Sequence, residues 1–194
     1  MIHESWFFKH SQLYFVKRCC HHSRIYKLTI VRYEPSIINM IIGIDPGTAT
    51  VGFSLVSGTR SNPVIHEYGV LHTDARPKEE MPDRLVELGG DLEHIIKLYK
   101  PEIAVIEELF FFKNKTTVIS VAQSRGMMVY LLRKAGVQIQ SYTPLQIKQT
   151  LTGYGRADKK QMQTMVKRIY KLDEIPKPDD AADSLAMAWL GLPM

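Results

Sequence analysis

Apolar residues cluster at Ile41-Ile42-Gly43-Ile44, resume over 51–56, and mix with polar ones over 64–73. That rhythm predicts three strands, the first two flanking the turn Asp45-Pro46-Gly47-Thr48. Short turns between them make an antiparallel meander. Leu85, Leu88, Leu92, Ile95, Ile96 and Leu98 then fall at helical spacing, predicting a helix over 84–99 that stops before Pro101. Residues 103–107 are an apolar run of the kind buried on both faces of a sheet. A helix is expected over 116–135, closed by Gly136. Its only charges after Thr116 are Arg125, Arg133 and Lys134, so more than one side of it must be covered, by its own sheet or by another subunit.

A fifth strand over 137–141 leads into helices. Thr143-Pro144 supplies an N-cap and a first-turn proline for a short helix carrying Lys148. Gly153-Tyr154-Gly155 is a flexible break, and Asp158 can cap a helix with the stripe Met162, Met165, Val166 and Ile169. Lys160, Lys167 and Lys171 are expected on its solvated side. After Pro176 and Pro178, residues 180–190 form the last helix. Strands alternating with helices in this way specify an α/β fold.

The first 39 residues differ in kind. They hold six Lys/Arg against two Asp/Glu, leaving 19 against 18 in residues 40–194, so the net charge of +5 sits almost wholly in the extension. Cys19, Cys20 and four of the seven histidines are there too. The body is near neutral, and nucleic-acid binding by it must use local basic patches. Lacking cysteine, it fits a reducing cytoplasm. No apolar stretch is long enough to span a membrane. Three readings of the extension stand: an organelle-targeting peptide, a metal site at Cys19-Cys20-His21-His22, or a disordered or loosely packed extension. Glu4 and Glu34 count against the first, and the adjacency of the four residues against the second. The third is favoured, with residues 40–194 as the working domain and Met40 as a candidate start.

Four acids change the picture. Asp45 and Glu107 each end an apolar strand, and Asp180 and Asp183 lie one helical turn apart. Buried carboxylates stay charged only when paired or bound to metal, and several hard oxygen donors suit Mg²⁺ or Mn²⁺. Alternation along the strand allows only one of Glu107 and Glu108 to join Asp45. Asp179 is as near to Asp183 on the helix as Asp180 is.

Gly43-Ile44-Asp45-Pro46-Gly47, Ile106-Glu107-Glu108-Leu109-Phe110 with Lys113-Asn114, Gln146-Ile147-Lys148-Gln149-Thr150 and Asp180-Ala181-Ala182-Asp183 occur in this order. Together they resemble the RuvC family of Holliday-junction resolvases, and the match covers the chain from Met40 almost to its end. The resemblance implies a ribonuclease-H-like fold, a five-stranded mixed sheet flanked by helices. It also implies a homodimer that nicks four-way DNA junctions symmetrically in recombination and repair, in a bacterial-type cytoplasm, with a branch-migration motor as a further partner. It selects Glu107 over Glu108 and Asp180 over Asp179, although many members carry histidine where Asp180 stands. Asp45, Glu107, Asp180 and Asp183 become the catalytic metal ligands, holding two Mg²⁺ ions with Mn²⁺ as a substitute. Lys148 and Lys159 match lysines that face DNA, and Phe110 matches an aromatic that stacks on a junction base.

The residues agree where they can be read alone. Three consecutive aromatics, Phe110-Phe111-Phe112, flanked by Lys113 and Lys115 cannot all be buried, and exposed rings beside cations stack on unpaired bases. His66, His72 and His94 are expected to be ordinary strand or helix residues. The rival expectations are another ribonuclease-H-like nuclease, such as one that matures ribosomal RNA, and a non-catalytic DNA-binding module. An actin-like kinase, which shares an Asp-x-Gly-Thr strand end, needs two such lobes and is excluded by length.

Overall fold

A computed structural model describes residues 2–9, 12–19, 39–73, 81–109 and 115–194. The chain divides into two units, Met1–Ser36 and Ile37–Met194. In the first, β1 (Ile2–Lys9) pairs antiparallel with β2 (Gln12–Cys19), setting Trp6 opposite Phe15 and Phe7 opposite Tyr14. Aromatic and β-branched residues favour such a ribbon, although the segment shows little apolar periodicity.

In the second unit, β3 (Ile41–Asp45), β4 (Thr50–Thr59) and β5 (Asn62–His72) form the expected antiparallel meander. Helix α1 (Met81–Tyr99) leads to β6 (Ile103–Glu107), and α2 (Lys115–Lys134) leads to β7 (Gln138–Tyr142). Three helices follow: α3 (Pro144–Thr152), α4 (Lys159–Ile169) and α5 (Asp179–Gly191). The strands make one sheet in the order β5-β4-β3-β6-β7, with β6 parallel to both its neighbours. This is the five-stranded mixed sheet flanked by helices that was expected.

Strands β4 and β5 run further than their apolar cores. Gly58 takes φ 93°, and the ladder continues to Thr59 opposite Asn62 before the chain turns. Both predicted caps are present as reciprocal boxes, Thr143 with Gln146 and Asp158 with Gln161. Gly136, at φ 83°, closes α2.

The sheet separates two cores by strand alternation. Ile42, Ile44, Ala104 and Ile106 pack with Leu88, Leu92, Met128 and Leu132 of α1 and α2. On the other face, Ile41 and Val105 pack with Ile147, Val166, Leu185 and Leu190 of α3, α4 and α5. Asp45 and Glu107 share the parity of Ile41 and Val105, and therefore face α3, α4 and α5. Helix α2 is not covered all round: Ile119 and Tyr130 are each 62% exposed. The covering predicted from its scarcity of charge does not come wholly from its own sheet.

Met40 is buried and accepts hydrogen bonds from the Glu102 and Ile103 amides, while the Asn39 amide donates to Glu102 Oε1 at 2.9 Å. Asn39 and Met40 are thus tied to the start of β6.

Candidate active site

Asp45 and Glu107 end two neighbouring parallel strands. Ile44 pairs with Ile106, and one further step in that register brings the two carboxylates level on the α5 face. Helix α5 supplies the rest because it lies almost on the backbone of the sheet. A Cβ at Gly43 would meet Ser184 and Ala188, and one at Gly52 would meet Asp180. Two missing side chains therefore let the first turns of α5 reach the strand ends. Buried Ala181, Ala182 and Leu185 hold the helix there, while Asp180 and Asp183 stay only half-buried.

Asp45, Glu107 and Asp183 line one cleft of about 210 Å³ with Lys148, Lys159, Pro144 and Ile147. Burial, then Asp183, Glu107 and Asp180, push the Asp45 carboxyl up to about 7, with Lys159 pulling the other way. Glu107 is raised by burial and by Asp183, and Lys148 opposes the shift. Asp183 is raised first by burial, which Lys159 offsets. Asp180 does not line the cleft wall, but its charge is felt at Asp45, Asp183 and Lys159. Four acids thus act on one another in a partly dry site, and a cation relieves both the repulsion and the desolvation.

The donor set fits a hard divalent cation, since every candidate ligand is a carboxylate oxygen. Among the described residues, no three acidic, histidine or cysteine side chains draw together tightly enough to chelate an ion alone. An ion held here would complete its shell with water or substrate oxygens, as Mg²⁺ commonly does.

The remaining expectations divide. Lys148 and Lys159 lie in the carboxylate cleft itself. Lys159 Nζ is 3.0 Å from Asp179 Oδ2 and 3.9 Å from Asp183 Oδ2. Asp179 is exposed and also accepts a 2.8 Å hydrogen bond from Gln163 Nε2, so it ties α4 to the start of α5. Phe110 lies outside the described residues. His66 forms an internal pair with Ser57, at 2.7 Å. Gly43 and Gly52, the glycines that seat α5, were missed by sequence reasoning, and a glycine inside an apolar strand was the available signal.

The family model described as "Crossover junction endodeoxyribonuclease RuvC" matches residues 41–190. A protein of that name from Caldanaerobacter subterraneus subsp. tengcongensis is 49% identical over 150 residues, covering 76% of this chain and 88% of that protein. One from Fusobacterium nucleatum is 48% identical over 147 residues, covering 76% of each. Among solved structures, Thermus thermophilus RuvC superposes with a TM-score of 0.70 at 30% identity, covering 77% of this chain and 91% of that one. The same protein in complex with Holliday junction substrate gives 0.69 at 28%, covering 78% and 91%. The yeast mitochondrial Holliday junction resolvase, at 16% identity and a TM-score of 0.55, shares the fold. The ribonuclease-H-like architecture expected from the sequence is borne out.

Proposed function

The chain belongs to the RuvC family of crossover junction endodeoxyribonucleases, and we propose that it resolves four-way DNA junctions by paired symmetric nicks at the carboxylate cleft. The observation that carries this reading is the gathering of Asp45, Glu107 and Asp183, from two strands and a helix, into one cleft with two lysines. That arrangement suits metal-dependent hydrolysis of a phosphodiester.

In this reading, Asp45, Glu107, Asp180 and Asp183 would hold two Mg²⁺ ions. When bound, such ions activate water and stabilise the leaving oxygen as Lewis acids. Burial and mutual repulsion raise these carboxyls, and a bound cation would hold them in the charged form. Lys148 and Lys159 attract the phosphate into the cleft and offset negative charge as it develops. Lys159 pairs with Asp183 at 3.9 Å inside the cleft and with Asp179 at 3.0 Å outside it. Phe110 stacks on an unpaired junction base.

We further take residues 40–194 as the nuclease unit and a two-fold homodimer as its working form, since two equivalent strands must be cut. The exposed apolar residues of α2 support that dimer. Among the described residues, no helix is long and apolar enough to cross a membrane.

The test is to incubate the full chain with four-way junction DNA, plain duplex and structured RNA, with and without Mg²⁺. Paired nicks in the junction alone, and only with metal, are expected. Preferential cutting of RNA would move the protein to a ribosomal-RNA-maturation role, and junction binding without cutting would make it a DNA-binding module.

A further inference from the structure

Both strand ends that carry candidate ligands are gripped from the opposite face of the sheet. On α2, Ser124 is fully buried and its hydroxyl donates to the Gly47 carbonyl at 2.7 Å, two residues beyond Asp45. The next residue, Arg125, donates from Nε to the carbonyl of Glu107 itself at 2.8 Å, and from Nη2 to Ser141 Oγ at 3.0 Å. The Asp45 and Glu107 side chains face α5, while their backbones are tied to α2. Neither tie serves the helix. A helical serine ordinarily bonds back to its own preceding turn or to water, and an arginine inside an apolar helix would ordinarily reach solvent.

We propose that Ser124 and Arg125 are positioning residues that set the separation of Asp45 from Glu107, and so the affinity of the site for its ions. The inference rests on the reading of those two carboxylates as ion ligands. The ladder stops past Asp45 and Glu107, so a few individual bonds hold each chain end. The turn after Asp45 is held at three points: by Ser124, by the Thr73 hydroxyl on the Thr48 carbonyl at 3.1 Å, and by the Thr73 amide on the Ala49 carbonyl at 2.9 Å. The end of β6 is held by Arg125 and by the Glu108 amide on the Tyr142 carbonyl at 2.9 Å. Ser124 and Arg125 are consecutive on one rigid helix, so they fix both ends against a common frame. Loss of either lets one carboxylate drift relative to the other.

The experiment compares Ser124→Ala, Arg125→Ala and Arg125→Lys with the unaltered full chain. It measures Mn²⁺ binding calorimetrically without DNA, melting temperature in chelator, and junction affinity in chelator. Supporting groups of this kind are worth roughly 10- to 100-fold in metal affinity. Ser124→Ala and Arg125→Ala should weaken Mn²⁺ by a factor in that range while junction affinity holds. Arg125→Lys, which keeps a cationic donor but not the two-nitrogen fork, should fall between. A lowered melting temperature with Mn²⁺ affinity unchanged in the alanine variants overturns the inference, since a merely structural role predicts that result. Asp45→Asn separates the two levels: if it also leaves Mn²⁺ binding intact, the ligand assignment itself is wrong.

Discussion

Gly52 stands opposite Asp45 in the β3–β4 ladder, and the space its side chain would fill is occupied by the backbone carbonyl of Asp180. One absent methyl group therefore brings the start of α5 against the strand that bears Asp45. Gly52→Ala should force the two apart, because backbone cannot yield as a side chain does. Overpacking of this kind costs about 1–3 kcal/mol, and a displacement on the order of 1 Å at a reacting site can cost about 100-fold in rate. Thermal melting and junction cleavage should both fall, and unchanged cleavage would mean that α5 does not need its seat on β4.

Charge removal at the ligands should act differently. Asp45→Asn, Glu107→Gln and Asp183→Asn keep shape but lose the charge that attracts metal. Each should lower cleavage in Mg²⁺ by at least ~100-fold, the scale of losing one preorganised electrostatic group, while junction binding survives. Asp179→Asn is the control: its carboxylate lies outside the cleft, on Lys159 and Gln163, and cleavage should stay within a few-fold. Near-normal cutting by any of the first three sinks its assignment as a ligand.

Phe110 gives a sharper contrast of outcomes. If it stacks on a base, Phe110→Ala should lose roughly 1–3 kcal/mol of productive DNA contact with its melting temperature unchanged. A core phenylalanine would instead cost about 3–5 kcal/mol of stability. Melting and cleavage of the same variant decide between the two.

The sequence displayed most of this arrangement because its signals were local. Strand periodicity, the proline and threonine at 143–144 and the acid at each strand end are read over a few residues, and each became an element or cleft residue near its expected place. What stayed hidden depends on distant partners. Gly52 matters through Asp180, 128 positions later, and Ser124 and Arg125 matter through carbonyls that any residue possesses. Arg60 is similar: its guanidinium caps the Leu190 and Leu192 carbonyls and lies 5.3 Å from the Trp189 ring. No spacing rule foretells a side chain that recognises backbone across the fold.

Glu67 is a buried acid away from the cleft. It accepts a hydrogen bond from the Tyr99 hydroxyl through Oε2, and Oε1 has no partner among the described residues. Burial raises its carboxyl above the ordinary carboxylate range, and the bond from Tyr99 offsets only part of that. The folded chain thus holds this proton more tightly than the unfolded one. The stability it contributes is complete below the unfolded value and is lost as pH rises through the folded one. Glu67→Gln cannot titrate and can still accept from Tyr99. Its stability relative to the unaltered chain should therefore increase with pH above the ordinary carboxylate range, measured by denaturant melts from pH 4 to 8. A flat difference across that range would show that folding leaves the Glu67 carboxyl at its unfolded value.

The proposed homodimer has a candidate surface. On α2, Ile119 and Tyr130 are each 62% exposed, and Val86 of α1 is 76% exposed. A helix with so few charges loses little by meeting a second copy and gains apolar burial. Two-fold pairing would place the same face of each chain in the contact, and each cleft would then meet one of two equivalent junction strands. Light scattering at micromolar concentration should give twice the chain mass. Ile119→Glu should yield monomers whose melting in isolation is little altered, because the position is already open to water. Those monomers should leave junctions with single rather than paired nicks. A chain that stays monomeric at micromolar concentration both free and on junction DNA would overturn the dimer, and the exposed face of α2 would then need another explanation.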